Sequence, residues 1–143
     1  MTRYLCDTNG LIASACGWHE HHVRTHAEVQ RRARAGEELV LAAHSLAEIY
    51  SVLTRLPPPR RVRGEDALTL IEGNWSETPA VYLTAQETWH AVRNAERRGV
   101  RGGQMYDALI AAAALKAGAS AILTWNRRNF EPFAADIQIE SPP

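Results

Sequence analysis

Tyr4-Leu5-Cys6-Asp7-Thr8-Asn9-Gly10-Leu11-Ile12 is the stretch of sequence that decides the fold. Its first residues form a short apolar run, which is typical of a buried parallel strand. Thr8, Asn9 and Gly10 then favour a turn into a helix, so Asp7 lies where a strand gives way to a helix. Ligands of open α/β sheets bind at that edge, outside the carboxyl ends of the strands. Asp7 is therefore either a ligand-binding residue or only the N-cap of the following helix, a position that aspartate favours.

Further apolar segments follow, and helical segments separate them. They predict strands at Leu39–Ala42, Ala80–Leu83, Ala121–Trp125 and Ile137–Ile139. Strands that alternate with helices predict an α/β fold, with a mostly parallel sheet of about four to five short strands and helices on both faces. A chain of 143 residues is expected to form a single domain, here residues 1–143.

Composition excludes several classes of protein. The 16 basic and 16 acidic residues cancel, so the whole molecule is not steered toward nucleic acid, although a local basic patch stays open. Cys6 and Cys16 have neither a metal-type spacing nor enough partners for a disulfide framework, and we expect reduced thiols in a cytoplasmic protein. No apolar run reaches transmembrane length, so no membrane association is expected.

The first long helix is predicted over Trp18–Ala35, with Val23, Ala27 and the segment Val29–Ala33 facing a core. His22 and His26 lie four residues apart and share a face of this helix. They are either a metal-binding pair or solvated surface histidines, and the pattern favours the second interpretation.

Glu48 lies in the first turn of the helix predicted from His44 to about Arg55. Ser45 and Glu48 match a capping box, in which both side chains bind backbone amides at a helix start. This pairing would be a complete structural reason for Glu48. The alternative is that Glu48 belongs to a functional site.

Asp107 is the acidic residue of an alanine-rich helix predicted over Met105–Ala117, and it also lies in the first turn. Crossovers in a parallel sheet bring every helix N-terminus to the edge where the strands end. Asp7, Glu48, Asp107 and Asn126, which follows the fourth strand, are therefore expected at one edge.

Three clustered carboxylates repel one another, by roughly 3 kcal/mol per pair at about 5 Å and an effective dielectric constant of about 20. A divalent cation would relieve this repulsion, and oxygen ligands without cysteine or histidine favour Mg²⁺ or Mn²⁺ over zinc. The alternative is that one acid is protonated or turned toward solvent, which needs no metal.

Four segments together resemble the PIN-domain ribonucleases, and among them the VapC-type toxins of prokaryotic type II toxin–antitoxin pairs. The resemblance covers essentially the whole chain. Its segments are Leu5-Cys6-Asp7-Thr8-Asn9, Ser45-Leu46-Ala47-Glu48-Ile49-Tyr50, Tyr106-Asp107-Ala108-Leu109-Ile110-Ala111-Ala112-Ala113-Ala114 and Ile122-Leu123-Thr124-Trp125-Asn126-Arg127-Arg128-Asn129-Phe130.

The resemblance implies a metal-dependent endoribonuclease that uses Mg²⁺ or Mn²⁺. It implies that Asp7 and Asp107 bind the metal and that Glu48 is a further acid of the cluster, directly or through water. Polar support would come from Thr8 or Asn9, Ser45, Thr124 and Asn126. It also implies a homodimer and a cognate VapB-type antitoxin whose tail covers the acidic pocket.

Many members of this family carry a fourth acid where this chain has Asn126 and Asn129. Asparagine supplies a carbonyl oxygen but no charge, so a second metal would be held only weakly. This departure motivates an alternative function, a catalytically weak or silent PIN-like module that binds RNA or a protein partner. A phosphohydrolase with Asp7 as nucleophile is disfavoured, because Asn9 stands where a second aspartate is needed. Arg127 and Arg128 are the first candidates for RNA contact, since they adjoin the acidic edge.

Overall fold

Five short strands form one parallel sheet in the computed structural model, which describes residues 1–143. The strands are β1 (Arg3–Cys6), β2 (Glu38–Ala42), β3 (Ala80–Val81), β4 (Ala121–Leu123) and β5 (Gln138–Glu140). Their order in the sheet is β3-β2-β1-β4-β5, and every pairing is parallel. The fold class predicted from the alternation of strands and helices is confirmed.

Seven α-helices and one short 3-10 helix connect these strands. They are α1 (Thr8–Ala15), α2 (His22–Arg34), α3 (Ala43–Arg55), α4 (Gly64–Trp75), α5 (Ala85–Arg97), α6 (Gln104–Lys116), α7 (Arg127–Phe130) and the 3-10 helix Glu131–Phe133. None of the helices is both long enough and apolar enough to cross a membrane.

Helices cover both faces of the sheet, because alternate residues of β1 enter two separate cores. Tyr4 and Cys6 belong to a cluster that includes Ile49 of α3, whereas Leu5 belongs to a cluster that includes Ala111 of α6. All three β1 residues are almost completely buried. A strand that is buried on both faces reads as a continuous apolar run, which is what the sequence shows.

The central strand β1 lies at the point where the strand order changes direction. Leu5 is paired with Val40 of β2 on one side and with Ile122 of β4 on the other. In open α/β sheets a crevice forms at such a switch point, beyond the carboxyl ends of the strands. Asp7 directly follows β1 and therefore lies at the mouth of this crevice.

The face that α2 buries is mostly polar, so the prediction that Val23 and Ala27 face a core is wrong, whereas Val29 packs against one of the two cores as predicted. Val23 is 78% exposed, whereas Thr25, Glu28 and Arg32 are buried. The guanidinium group of Arg32 is bound by three carboxylates, those of Glu28 at 2.7 Å, Glu37 at 3.2 Å and Glu140 at 2.6 Å. Such pairing is what permits an arginine to be buried.

The capping box predicted at the start of α3 is also wrong. The helix begins at Ala43 with Ala42 as its N-cap, and no side chain caps it. Ser45 is therefore already inside the helix, where its hydroxyl meets Thr8 instead of a backbone amide. The strands β3 and β4 end earlier than predicted, at Val81 and Leu123, so Thr124 lies just beyond the sheet.

Candidate active site

Asp7, Glu48 and Asp107 line one cavity of about 230 Å³ at the carboxyl edge of the sheet. The sequence places them in three distant segments, and the topology brings them together. The cavity also contains Thr8, Asn9, Ile12, Val52, Tyr106, Ile110 and Asn126. The acidic pocket, as we call this cavity, therefore holds three of the five predicted supporting residues as well as the three acids.

Asp7 is held rigidly, because each oxygen of its carboxylate accepts a hydrogen bond. Oδ1 accepts from the backbone N–H of Gly10 at 2.9 Å, which makes Asp7 the N-cap of α1. Oδ2 accepts from the hydroxyl of Thr124 at 2.5 Å. Asp7 is thus both a cap and a residue of the acidic pocket, so the two interpretations of the sequence are compatible.

Burial makes the negative charge of Asp7 unfavourable. The side chain is only 6% exposed, and burial raises its pKa from 3.8 to about 6. The two hydrogen bonds oppose this rise in pKa, while the neighbouring carboxylates of Asp107 and Glu48 add to it. Repulsion between the acids is therefore a property of the folded chain.

Asp107 lies in the first turn of α6 and is fixed by an amide. Its Oδ2 accepts a hydrogen bond from Nδ2 of Asn129 at 3.0 Å. Burial raises the pKa of Asp107, the hydrogen bond from Asn129 lowers it, and the charge of Glu48 raises it.

Glu48 is partly accessible, with 42% of its side chain exposed. Its Oε1 lies 3.1 Å from Nε2 of His44, one turn earlier in α3, but the contact lacks the geometry of a hydrogen bond. Because the capping box is absent, no backbone amide engages the Glu48 carboxylate. The Glu48 carboxylate thus lies in the acidic pocket with the His44 ring beside it.

Three hydroxyl groups connect the elements that carry the acids. Thr8 Oγ1 and Ser45 Oγ lie 2.8 Å apart and join α1 to α3 beside the acidic pocket. Thr124 donates to Asp7 and also accepts the backbone N–H of Asn126 at 2.9 Å. Ser45 and Thr124 are therefore buried partners of the pocket residues, and neither lines the cavity itself.

The two arginines proposed to contact RNA do not line the acidic pocket. Arg127 borders a separate open cavity of about 1030 Å³, which is also lined by Glu28, Arg32 and Glu140. Arg128 is exposed. His22 and His26 do share a face, with ring centroids 5.4 Å apart.

Sequence reasoning missed one residue that supports the pocket, Gly10, and one that lines it, Tyr106. Gly10 leaves room for the Asp7 carboxylate, since a Cβ there would lie 2.8 Å from Asp7 Oδ1 and 2.5 Å from Cys6 Sγ. A glycine in the first turn of the helix that follows β1 could have signalled this close approach. Tyr106 is 63% exposed at the rim of the cavity, and its position next to Asp107 was the available signal.

No three histidine, cysteine, aspartate or glutamate side chains converge closely enough to enclose a metal ion. The acidic pocket nevertheless fits a hard divalent cation, because its acids repel one another and its donors are all oxygen atoms. Asp7, Asp107 and Glu48 are the residues that would hold it.

Comparison with known proteins gives the family. The model of the PIN domain matches residues 4–135. The chain belongs to the PIN domain family. Ribonuclease VapC40 of Mycobacterium tuberculosis (strain ATCC 25618 / H37Rv) is 34% identical over 127 residues, which cover 89% of each chain. The resemblance to VapC-type members that the four segments indicated is confirmed.

Solved structures of PIN domain proteins share the fold. A chain from the DNA-bound VapBC2 complex of Rickettsia felis superposes with a TM-score of 0.72 at 18% identity, covering 98% of both chains. A chain from the DNA-bound VapBC complex of Salmonella typhimurium gives a TM-score of 0.71 at 23% identity and covers both chains fully. The five-stranded sheet is thus the PIN domain architecture.

Proposed function

We propose that this chain is a metal-dependent endoribonuclease that acts as the toxin of a type II toxin–antitoxin pair. One observation carries the proposal: Asp7 at the end of β1, Glu48 of α3 and Asp107 of α6 line a single small cavity at the switch point of the sheet. The pocket suits hydrolysis of a phosphodiester, whose negative charge could not approach three carboxylates without a cation. Similarity to Ribonuclease VapC40 supports RNA as the substrate.

Asp7, Asp107 and Glu48 have the role of holding Mg²⁺ or Mn²⁺. A bound divalent cation supplies an acidified water and neutralises charge on the phosphate. Thr124 and Gly10 orient Asp7. Of the remaining predicted supports, Ser45 and Thr8 join two of the elements that carry acids, and Asn9 and Asn126 offer neutral polar groups at the cavity wall.

The RNA would enter along the rim of the acidic pocket that Tyr106 marks. An exposed aromatic ring beside the acids can stack on a base, which is worth about 1–3 kcal/mol. Arg128 lies on the exposed surface of α7, two residues after the pocket residue Asn126, and can contact a flanking phosphate. Arg127 borders the other cavity and is the weaker candidate of the pair.

We further propose a VapB-type antitoxin as partner, a homodimer as the working form and the cytoplasm as the compartment. The antitoxin proposal rests on the solved complexes of Rickettsia felis and Salmonella typhimurium, which are VapBC assemblies. The acidic pocket would favour a basic side chain from the antitoxin, since it would meet three carboxylates.

Expression in a bacterium distinguishes the toxin from a silent binding module. Induction of the wild-type chain should arrest growth, and Asp7→Asn and Asp107→Asn should each relieve the arrest. Asp66→Asn is the matched control, because Asp66 is an exposed residue of α4 outside the pocket. Arrest that persists in both pocket variants at equal expression would favour the module that only binds. Normal growth with folded wild-type protein would contradict the toxin proposal.

A further inference from the structure

Asn129 is tied to the same helix that carries Asp107. Its side-chain Nδ2 donates to Asp107 Oδ2 at 3.0 Å, and its backbone oxygen accepts from Nε2 of Gln104, at the start of α6, at 3.0 Å. The next residue, Phe130, is fully buried. Because only the NH₂ end of an amide can donate to a carboxylate, the orientation of the Asn129 side chain is fixed by this contact.

Asn126 is placed differently, although it lies on the same short segment. It is exposed and lines the acidic pocket. Its backbone N–H binds Thr124 Oγ1, and its side-chain amide makes no hydrogen bond within the chain. Asn129 therefore uses its donor on Asp107, whereas the side-chain amide of Asn126 stays free at the wall of the acidic pocket.

We propose that Asn129 is a positioning residue, which fixes the carboxylate of Asp107 for cation binding and does not itself bind the cation. The inference rests on the proposed function, since it concerns the cation that the three acids would hold. A carboxylate with one oxygen engaged by a rigid donor keeps its other oxygen directed, which lowers the entropy lost on binding. Residues that orient metal ligands in this way typically change metal affinity or activity by about 10- to 100-fold when they are replaced.

Two variants of equal charge separate positioning from direct binding. Asn129→Asp and Asn126→Asp each add one negative charge to the same segment, so general attraction for a cation rises in both. Asn126→Asp adds a carboxylate to the pocket wall and should bind Mn²⁺ more tightly than the wild type. Asn129→Asp removes the donor and sets a like charge against Asp107, so it should bind Mn²⁺ about tenfold or more weakly than the wild type.

The affinity for Mn²⁺ alone is measured by electron paramagnetic resonance of the free ion, without RNA. Asn129→Ala, which removes the donor without adding charge, should also weaken Mn²⁺ binding by about 10- to 100-fold. In RNA cleavage, Asn129→Ala should lower kcat and leave KM unchanged. Circular dichroism identifies any variant that fails to fold. If one of the two Asn129 variants fails, the Mn²⁺ affinity of the other one tests the proposal. If Asn129→Asp binds Mn²⁺ as tightly as the wild type or more tightly, the hydrogen bond from Asn129 is not needed to hold the cation and the proposal is overturned.

A measurement without metal tests the contact itself. In ¹⁵N-labelled protein with EDTA, one side-chain amide proton of Asn129 should be shifted downfield of those of Asn126, and Asp107→Ala should remove the shift. Absence of this shift overturns the positioning proposal and leaves the proposed function intact. A wild-type chain that shows the shift but binds no Mn²⁺ would instead overturn the proposed function, and the cation-related role of Asn129 with it.

Discussion

Replacement of Asp7 by asparagine should stabilise the metal-free protein at pH 8. The pKa of Asp7 is raised from 3.8 to about 6 in the folded chain, a rise of about two units at 1.36 kcal/mol each, so the ionised form costs about 3 kcal/mol. Asparagine carries no charge and keeps an oxygen for the N–H of Gly10. Its amide can donate to Thr124, whose hydroxyl then loses its acceptor at a cost of about 1 kcal/mol. The expected net gain is about 2 kcal/mol.

The stability that Asp7→Asn gains over the wild type must increase as the pH rises. A carboxyl group whose pKa is raised by folding binds its proton more tightly in the folded state, so stability falls as pH rises from about 4 through about 6. At pH 4 the folded carboxyl group is protonated and the unfolded one only about half ionised, so the penalty on the wild type falls to roughly 0.5 kcal/mol and the net advantage of asparagine disappears. Above pH 7 the penalty on the wild type is complete, and the advantage of asparagine is at its full size.

Urea denaturation in EDTA at pH 4.5, 6 and 8 measures this effect. A gain of about 2 kcal/mol corresponds to a rise in Tm of roughly 4–8 °C for a chain of this size. Asp66→Asn makes the same chemical change at an exposed position and should stay within about 0.5 kcal/mol of the wild type. A destabilised Asp7→Asn variant, or a gain that is the same at pH 4.5 and pH 8, would refute the reasoning.

Three further predictions concern cation binding, the space around Gly10 and the buried charge of Arg32. Mg²⁺ should raise the Tm of the wild type as its concentration rises, and Asp107→Asn should abolish that rise in a thermal-shift assay. Gly10→Ala should lower the free energy of unfolding by about 1–3 kcal/mol in urea denaturation, because its Cβ would overlap two side chains. Gly73→Ala, whose Cβ would meet nothing within 4 Å, should instead stabilise α4 by about 0.5–1 kcal/mol. Arg32→Met should cost about 3–5 kcal/mol, because it leaves Glu28 buried without that partner.

The position of the acids could be predicted because it depends only on topology. An apolar run before Asp7 and an alanine-rich helix behind Asp107 indicate a parallel sheet, and a parallel sheet brings strand ends and helix starts to one edge. Asp7 and Asp107 line the same cavity for that reason.

The details that sequence reasoning missed depend on contacts between distant segments. Ser45 and Glu48 have the local pattern of a capping box, but the helix starts at Ala43, so the hydroxyl of Ser45 meets Thr8 instead. Asn129 and Asp107 are 22 residues apart and meet only through the packing of α7 against α6. Neither contact produces a periodic pattern in the sequence, so neither could be predicted from it.

The buried polar face of α2 was missed for a related reason. Arg32 reads as a surface residue, since arginine is rarely buried unless it is paired. Its partner Glu140 lies 108 residues away on β5. Only the assembled sheet brings the two charges together, so the sequence could not reveal which face of α2 packs inward.

Cleavage of total cellular RNA by the purified protein tests the central claim most directly. The reaction is run in Mg²⁺ or Mn²⁺, with EDTA and Asp7→Asn as controls, and the new RNA ends are mapped by sequencing. A metal-dependent endoribonuclease should produce discrete cuts that vanish in both controls. Intact RNA under both metals, from protein shown to be folded, would contradict the enzymatic function and favour a PIN domain that only binds.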